Sequence, residues 1–99
     1  MRVTLPHTLT KDEVRRRMHK HAGEIGSFFP AGLARVTTDW PSEDRMSITA
    51  EVIGQAIPGG GEIRDHEVVI EMDLPLLLSV MKAPLEAAVR KEAGRLLAP

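Results

Sequence analysis

A chain of 99 residues holds one domain with one modest core, and it leaves no room for a large buried active site with its own lid domain. With 42% hydrophobic and 27% charged residues, it has the balance of a globular protein rather than a disordered one. It contains no cysteine, which excludes disulfides, thiolate metal sites and cysteine nucleophiles together.

The disulfide-free composition fits a reducing compartment. Met1 to His7 lacks the apolar core of a secretory signal, and no apolar run reaches the 18 residues of a membrane span. The expected location is the cytoplasm of a bacterial cell. The net charge of −1 conceals an uneven distribution: residues 10–29 carry +2, residues 33–74 carry −6 and residues 75–99 carry +2. Two basic ends flanking an acidic middle predict solvated faces that attract one another. The sharper alternative is a basic helical face for phosphate-bearing partners.

In chain order, residues 1–6 read as a strand. Val3 and Leu5 alternate with Arg2 and Thr4, and Pro6 ends the pairing. Thr10-Lys11-Asp12-Glu13 is a capping box with acids in the first turn, where the helix dipole favours them. The helix that follows carries Val14, Met18, Ala22, Ile25 and Phe29 as one apolar stripe, ended by Pro30 and Gly32. Ala34 to Trp40 alternates and is rich in β-branched residues, which predicts a strand, and Pro41 to Asp44 predicts a turn.

Met46, Ile48, Ala50 and Val52 then alternate with polar residues. The parity change at Val52-Ile53-Gly54 predicts a bulge within a strand that continues to Ile57. Pro58-Gly59-Gly60-Gly61 has the composition of the strongest turn in the chain, with Glu62 to Asp73 as the return strand of a long bent hairpin. From Leu74 onward Leu77, Leu78, Met81, Leu85, Ala88, Val89, Ala93 and Leu96 follow a helical stripe. Pro84 interrupts it and predicts a kink or brief break near Met81 to Ala83, with a second helix from Pro84 to Leu97.

The expected fold is a single α+β domain over residues 1–99. An antiparallel sheet of about four strands, in the chain order β-α-β-β-β-α, has two helices packed on one face, the last kinked near Pro84. The first strand adds at a sheet edge.

The chemistry-bearing residues do not converge. His19 and His21 diverge by about 200° on a helix and cannot share a metal. His21 and Glu24 can touch, but one pair is not a metal site. His7 and His66 stand alone near turns. No acid pair stands out for catalysis, no nucleophile elbow occurs, and Gly59-Gly60-Gly61 is not the phosphate-cradling kind of loop, since it precedes a strand and not a helix. No catalytic residue, metal ligand or cofactor site is assigned, and no enzyme activity is expected. Arg15, Arg16 and Arg17 fan out through about 200° and form no single patch. With Phe28, Phe29 and Trp40 as the only aromatics, no stacking platform for nucleic acid is expected.

The leucine-dense run is the most telling feature. Leu74, Leu76, Leu77, Leu78, Val80, Met81 and Leu85 exceed what one stripe needs. They read either as a broad buried stripe or as a surface for a partner: a second protomer, a hydrophobic granule or an acyl chain.

Here the chain resembles a known family. Val3-Thr4-Leu5-Pro6-His7-Thr8-Leu9 leads into a charged helix with Glu13-Val14-Arg15, and a middle strand ends in Trp40. Val68-Val69-Ile70-Glu71-Met72-Asp73-Leu74-Pro75 runs into Leu76-Leu77-Leu78, then Lys82, then Leu85 to Lys91. This order and spacing, over nearly the whole chain, is similar to the polyhydroxyalkanoic acid system proteins. The resemblance implies a role in polyhydroxyalkanoate storage: synthesis, granule formation or granule regulation. It implies no catalytic residues.

The expected function is therefore non-enzymatic attachment to a polyhydroxyalkanoate granule or a granule-coat protein, with Leu76, Leu77, Val80, Met81 and Leu85 as the apolar binding surface. An edge strand and a leucine surplus also suit a homodimer. The second reading is a small-molecule binder in which helix and sheet enclose an acyl or hydroxyacyl group, for which a continuous apolar cavity of roughly 300 Å³ is the signature. The third is nucleic-acid binding through the Arg15–Arg17 helix.

Overall fold

The structure, a computed structural model, describes residues 1–24, 34–52 and 54–99, apart from the side chains of Ala34 and Leu77. Five strands, β1 (Arg2–Pro6), β2 (Ala34–Ser42), β3 (Arg45–Val52), β4 (Gln55–Ile63) and β5 (Glu67–Met72), form one antiparallel sheet in the order β1-β5-β4-β3-β2. Helix α1 (Lys11–His21) follows β1. A 3₁₀ segment (Leu76–Met81) and helix α2 (Lys82–Leu96) follow β5. The protein is thus α+β, with β1 added at the edge beside β5, and five strands stand where about four are expected.

The fifth strand arises because the chain turns where a bulge is expected and stays extended where a turn is expected. Val52 pairs with Gln55, so the expected bulge is a tight hairpin between β3 and β4, in which Gly54 takes φ +75°. That left-handed conformation is one that glycine adopts without a steric penalty. The expected turn at Pro58 to Gly61 is instead the middle of β4, paired to β3 from Thr49↔Pro58 to Met46↔Gly61 and to β5 from Gly59↔Met72 to Gly61↔Ile70. Proline is tolerated there because its carbonyl accepts from Asp73 N–H (2.9 Å), just past the end of β5. The N–H that Pro58 lacks would also face that side, so the β3 ladder loses nothing.

Glycine is required next to it. A Cβ on Gly59 would lie 2.5 Å from the Glu71 carbonyl oxygen and would overlap Met72 Sδ. The true β4–β5 connection lies at residues 64–66.

Alternation decides which face is covered. β3 shows a strict exposed-buried repeat, placing Met46, Ile48, Ala50 and Val52 inward. Through the register, Ile57, Gly61 and Ile63 of β4, Val68 and Met72 of β5, and Val3 and Leu5 of β1 lie on that same face. Both helices pack there, α1 through Val14 and Met18 and α2 through Leu85, Val89 and Ala93, in one core. The opposite face carries Arg2, Thr4, Arg45, Ser47, Thr49, Glu51 and Glu71, all exposed. An antiparallel sheet with one solvated face produces this division of apolar and polar residues.

Pro84 has the expected effect. An α-helix running through it would lose the bond to the carbonyl four residues back and clash with it. The chain instead winds as 3₁₀ up to Met81 and restarts as α-helix at Lys82. Pro84 then falls in the first turn of α2, where an N–H has no intrahelical partner anyway. Pro75 precedes the 3₁₀ segment in extended conformation. At α1, Glu13 N–H donates to Thr10 Oγ1 (3.2 Å), half of the expected capping box. The Glu13 carboxylate turns to Arg16 and Arg17 instead of reaching back. Ile25 and Phe29, the expected continuation of the α1 stripe, lie outside the described residues.

Candidate functional site

The leucine-dense run divides between core and solvent according to its backbone. A 3₁₀ helix has three residues per turn, so residues three apart share a face. Leu78 and Met81 share the inward face, Leu78 buried and Met81 half-buried against the core. Leu76 and Val80 are left 89% and 82% exposed. Among the described residues these two are the large hydrophobic side chains standing in solvent. Leu85 departs from expectation. It begins the inward stripe Leu85, Val89 and Ala93 on α2, continued by Leu97 at its C-cap and spaced by four, and is 4% exposed, so it belongs to the core and not to the exposed ridge. The exposed apolar ridge is Leu76 and Val80, four residues and so about 120° apart around the 3₁₀ segment, with the uncovered part of Met81. The Leu77 side chain lies outside the described residues.

A second feature lies between the helices. The C-terminal half of α1, the middle of α2 and the sheet enclose a cleft of about 320 Å³. Its walls are apolar: Met18 from α1, Met46 and Ile48 from β3, Ile70 and Met72 from β5, and Leu85 and Val89 from α2. Its mouth is polar, formed by His21 at the end of α1, Glu24 just past it, and Glu92 and Arg95 on α2. His21 Nδ1 lies 2.9 Å from Glu24 Oε2, the contact their spacing predicts, and Arg95 Nη1 lies 3.6 Å from Glu92 Oε2.

The three consecutive arginines diverge, as their spacing requires. Arg15 binds Asp44 in the β2–β3 turn, with Nε and Nη2 at 2.9 and 2.7 Å from Oδ1, and also Asp12. Lys11 reaches the other oxygen of Asp44 at 2.7 Å. Lys11 and Arg15 together hold the Asp44 carboxyl below its ordinary range. Arg16 forks onto Glu13. Arg17 donates to Glu13 and, from Nη1, to the carbonyls of Leu96 (2.9 Å) and Ala98 (2.6 Å) at the end of α2. The basic helix is thus attracted to the acidic hairpin and to a helix C-terminus, and its guanidiniums are engaged inside the fold.

The histidines do not gather. His7 is buried at the β4–β5 turn: its backbone N–H donates to the His66 carbonyl (2.9 Å) and Nε2–H donates to the Arg64 carbonyl (3.0 Å). His19 stacks on Trp40, ring centroids 3.9 Å apart, a contact between α1 and β2 with no local sequence signal. Among the described residues no group of three or more His, Asp or Glu could hold a metal ion.

This is a small α+β domain, one sheet face covered by two helices, with an exposed apolar ridge and an apolar cleft. The chain belongs to the family described as "Putative polyhydroxyalkanoic acid system protein", whose model matches residues 1–97. No curated protein and no solved structure matches it. No helix among the described residues is long and apolar enough to cross a membrane.

Proposed function

We propose that this protein acts in the polyhydroxyalkanoate system by attaching, without a chemical step of its own, to the apolar surface of a storage granule or to a protein that coats it. The exposure of Leu76 and Val80 on the 3₁₀ segment carries this reading, together with membership of a family named for that system. Two large apolar side chains held in water contribute nothing to the monomer core, whereas burying each against an apolar surface contributes roughly 1.5–3 kcal/mol. The pair stands on the 3₁₀ segment at the start of the helical region.

Flotation of the purified protein with polymer granules tests the reading. The wild type is expected in the floating layer, and a Leu76→Asp/Val80→Asp variant in the soluble fraction. Because both side chains are exposed, the variant is expected to fold normally, with stability within about 0.5 kcal/mol of the wild type. Wild-type protein that stays soluble rules out direct attachment. If the same variant instead changes the solution mass by half, the ridge is a contact between two copies of the chain and not a granule surface.

A further inference from the structure

The cleft between the helices has no part in the attachment just described, and its chemistry is specific enough to name a guest. We propose that it binds a neutral hydroxyacyl ester, the alkyl chain among the methionines and the hydroxy-ester head at the mouth.

Size and lining fix the apolar part. At about 320 Å³ the cleft lies at the small end of ligand sites, which suits a short alkyl chain. Met18, Met46 and Met72 meet there, and methionine is the unbranched, polarisable side chain that adapts to an irregular alkyl chain.

Charge fixes the head. At the mouth Arg95 stands beside Glu92, and His21 Nδ1 lies 2.9 Å from the second carboxylate, Glu24. A free fatty carboxylate entering there meets two carboxylates at close range, and like charges repel. A neutral head avoids that repulsion and uses both partners: its hydroxyl donates to the Glu92 carboxylate, and its ester carbonyl accepts from the Arg95 guanidinium. The choice of a hydroxyacyl ester as guest rests on the polymer role proposed above; the apolar cleft and its polar mouth with two carboxylates are independent of it.

Titration of the full-length protein with methyl 3-hydroxyoctanoate tests the site, with octanoate as the charged comparison. The readout is the set of ¹³C-labelled methionine methyl signals. Saturable shifts are expected at Met18, Met46 and Met72 and not at Met1 or Met81, with octanoate binding roughly tenfold more weakly near neutral pH. Ala93→Leu, which adds bulk at the cleft wall, is expected to abolish the shifts. Glu92→Arg, at the solvent-facing rim, is expected to reverse the preference toward octanoate, so the head argument remains testable if Ala93→Leu fails to fold. Absence of saturable methyl shifts up to the solubility limit of the ester, or octanoate binding as tightly as the ester, overturns the proposal. Leu76→Asp is expected to retain ester binding, so a protein that binds the ester but does not float with granules would separate the failure of the ridge from that of the cleft.

Discussion

The Glu13 carboxylate accepts hydrogen bonds from Arg16 and Arg17, and these two guanidiniums pull its pKa from 4.5 down to about 2. A carboxyl whose folded pKa lies below its unfolded one contributes stability that is fully present above the unfolded value and is lost as pH falls through the folded one. For Glu13 that window runs from about pH 4.5 to about 2. Asp44, held down by Lys11 and Arg15, adds a contribution of the same sign. Urea midpoints measured across this range are therefore expected to fall with acid. A Glu13→Gln variant is expected to start lower at neutral pH and fall less steeply; identical slopes in the two proteins would remove Glu13 from the account. The cap itself was legible, since Thr10 and Glu13 are neighbours in sequence and the Thr10 half forms. What the spacing left open was which partner Glu13 prefers. Two arginines one turn away compete with its own backbone, and charged donors win over a neutral one.

At the scale of the element, β3 and α2 were readable because their periodicities of two and of four are imposed by one covered face. β4 was not. Pro58-Gly59-Gly60-Gly61 has the composition of a turn, and local propensity gives no reason to extend it. The reason is non-local: β5 passes so close to Gly59 that only a residue without Cβ fits. Two alanine substitutions separate these causes. Gly59→Ala forces its new methyl into the Glu71 carbonyl oxygen, which cannot move without breaking the β4–β5 ladder. The expected loss is about 1–3 kcal/mol or more. Gly94→Ala lies inside α2, where a Cβ meets nothing within 4 Å. It is expected to stabilise by about 0.5–1 kcal/mol through helix propensity alone. Thermal unfolding of the two variants checks both signs. A harmless Gly59→Ala would mean that the strand has room the geometry denies it.

Across the whole molecule, two helices on one sheet face follow from the apolar stripes, but the space between them does not. The cleft depends on how far α1 and α2 stand apart, a distance no stripe encodes, so periodicity could only state what volume would count. Nor did the sequence show that Arg17, 79 residues from Leu96, fastens the two helices together. Its guanidinium sits at the C-terminus of α2, where unpaired carbonyls and the helix dipole both favour a cation. It lies one turn before His21 at the mouth of the cleft. The Arg17 side chain is only 24% exposed, so solvent screens the contact incompletely. Arg17→Ala is therefore expected to cost about 1–2 kcal/mol, the range of charge-assisted hydrogen bonds to backbone, and to speed amide exchange in the last turn of α2 more than in the sheet. Arg17→Lys is expected to recover only part of this, because an ammonium cannot fork between Glu13 and two carbonyls. If α2 loses its fastening at this end, the cleft mouth widens with it, and the methionine methyls lining the cleft should report the change without any guest present. Unchanged exchange in the last turn of α2 would mean that packing of Leu85, Val89 and Ala93 against the sheet fixes the helix by itself, with Arg17 a bystander.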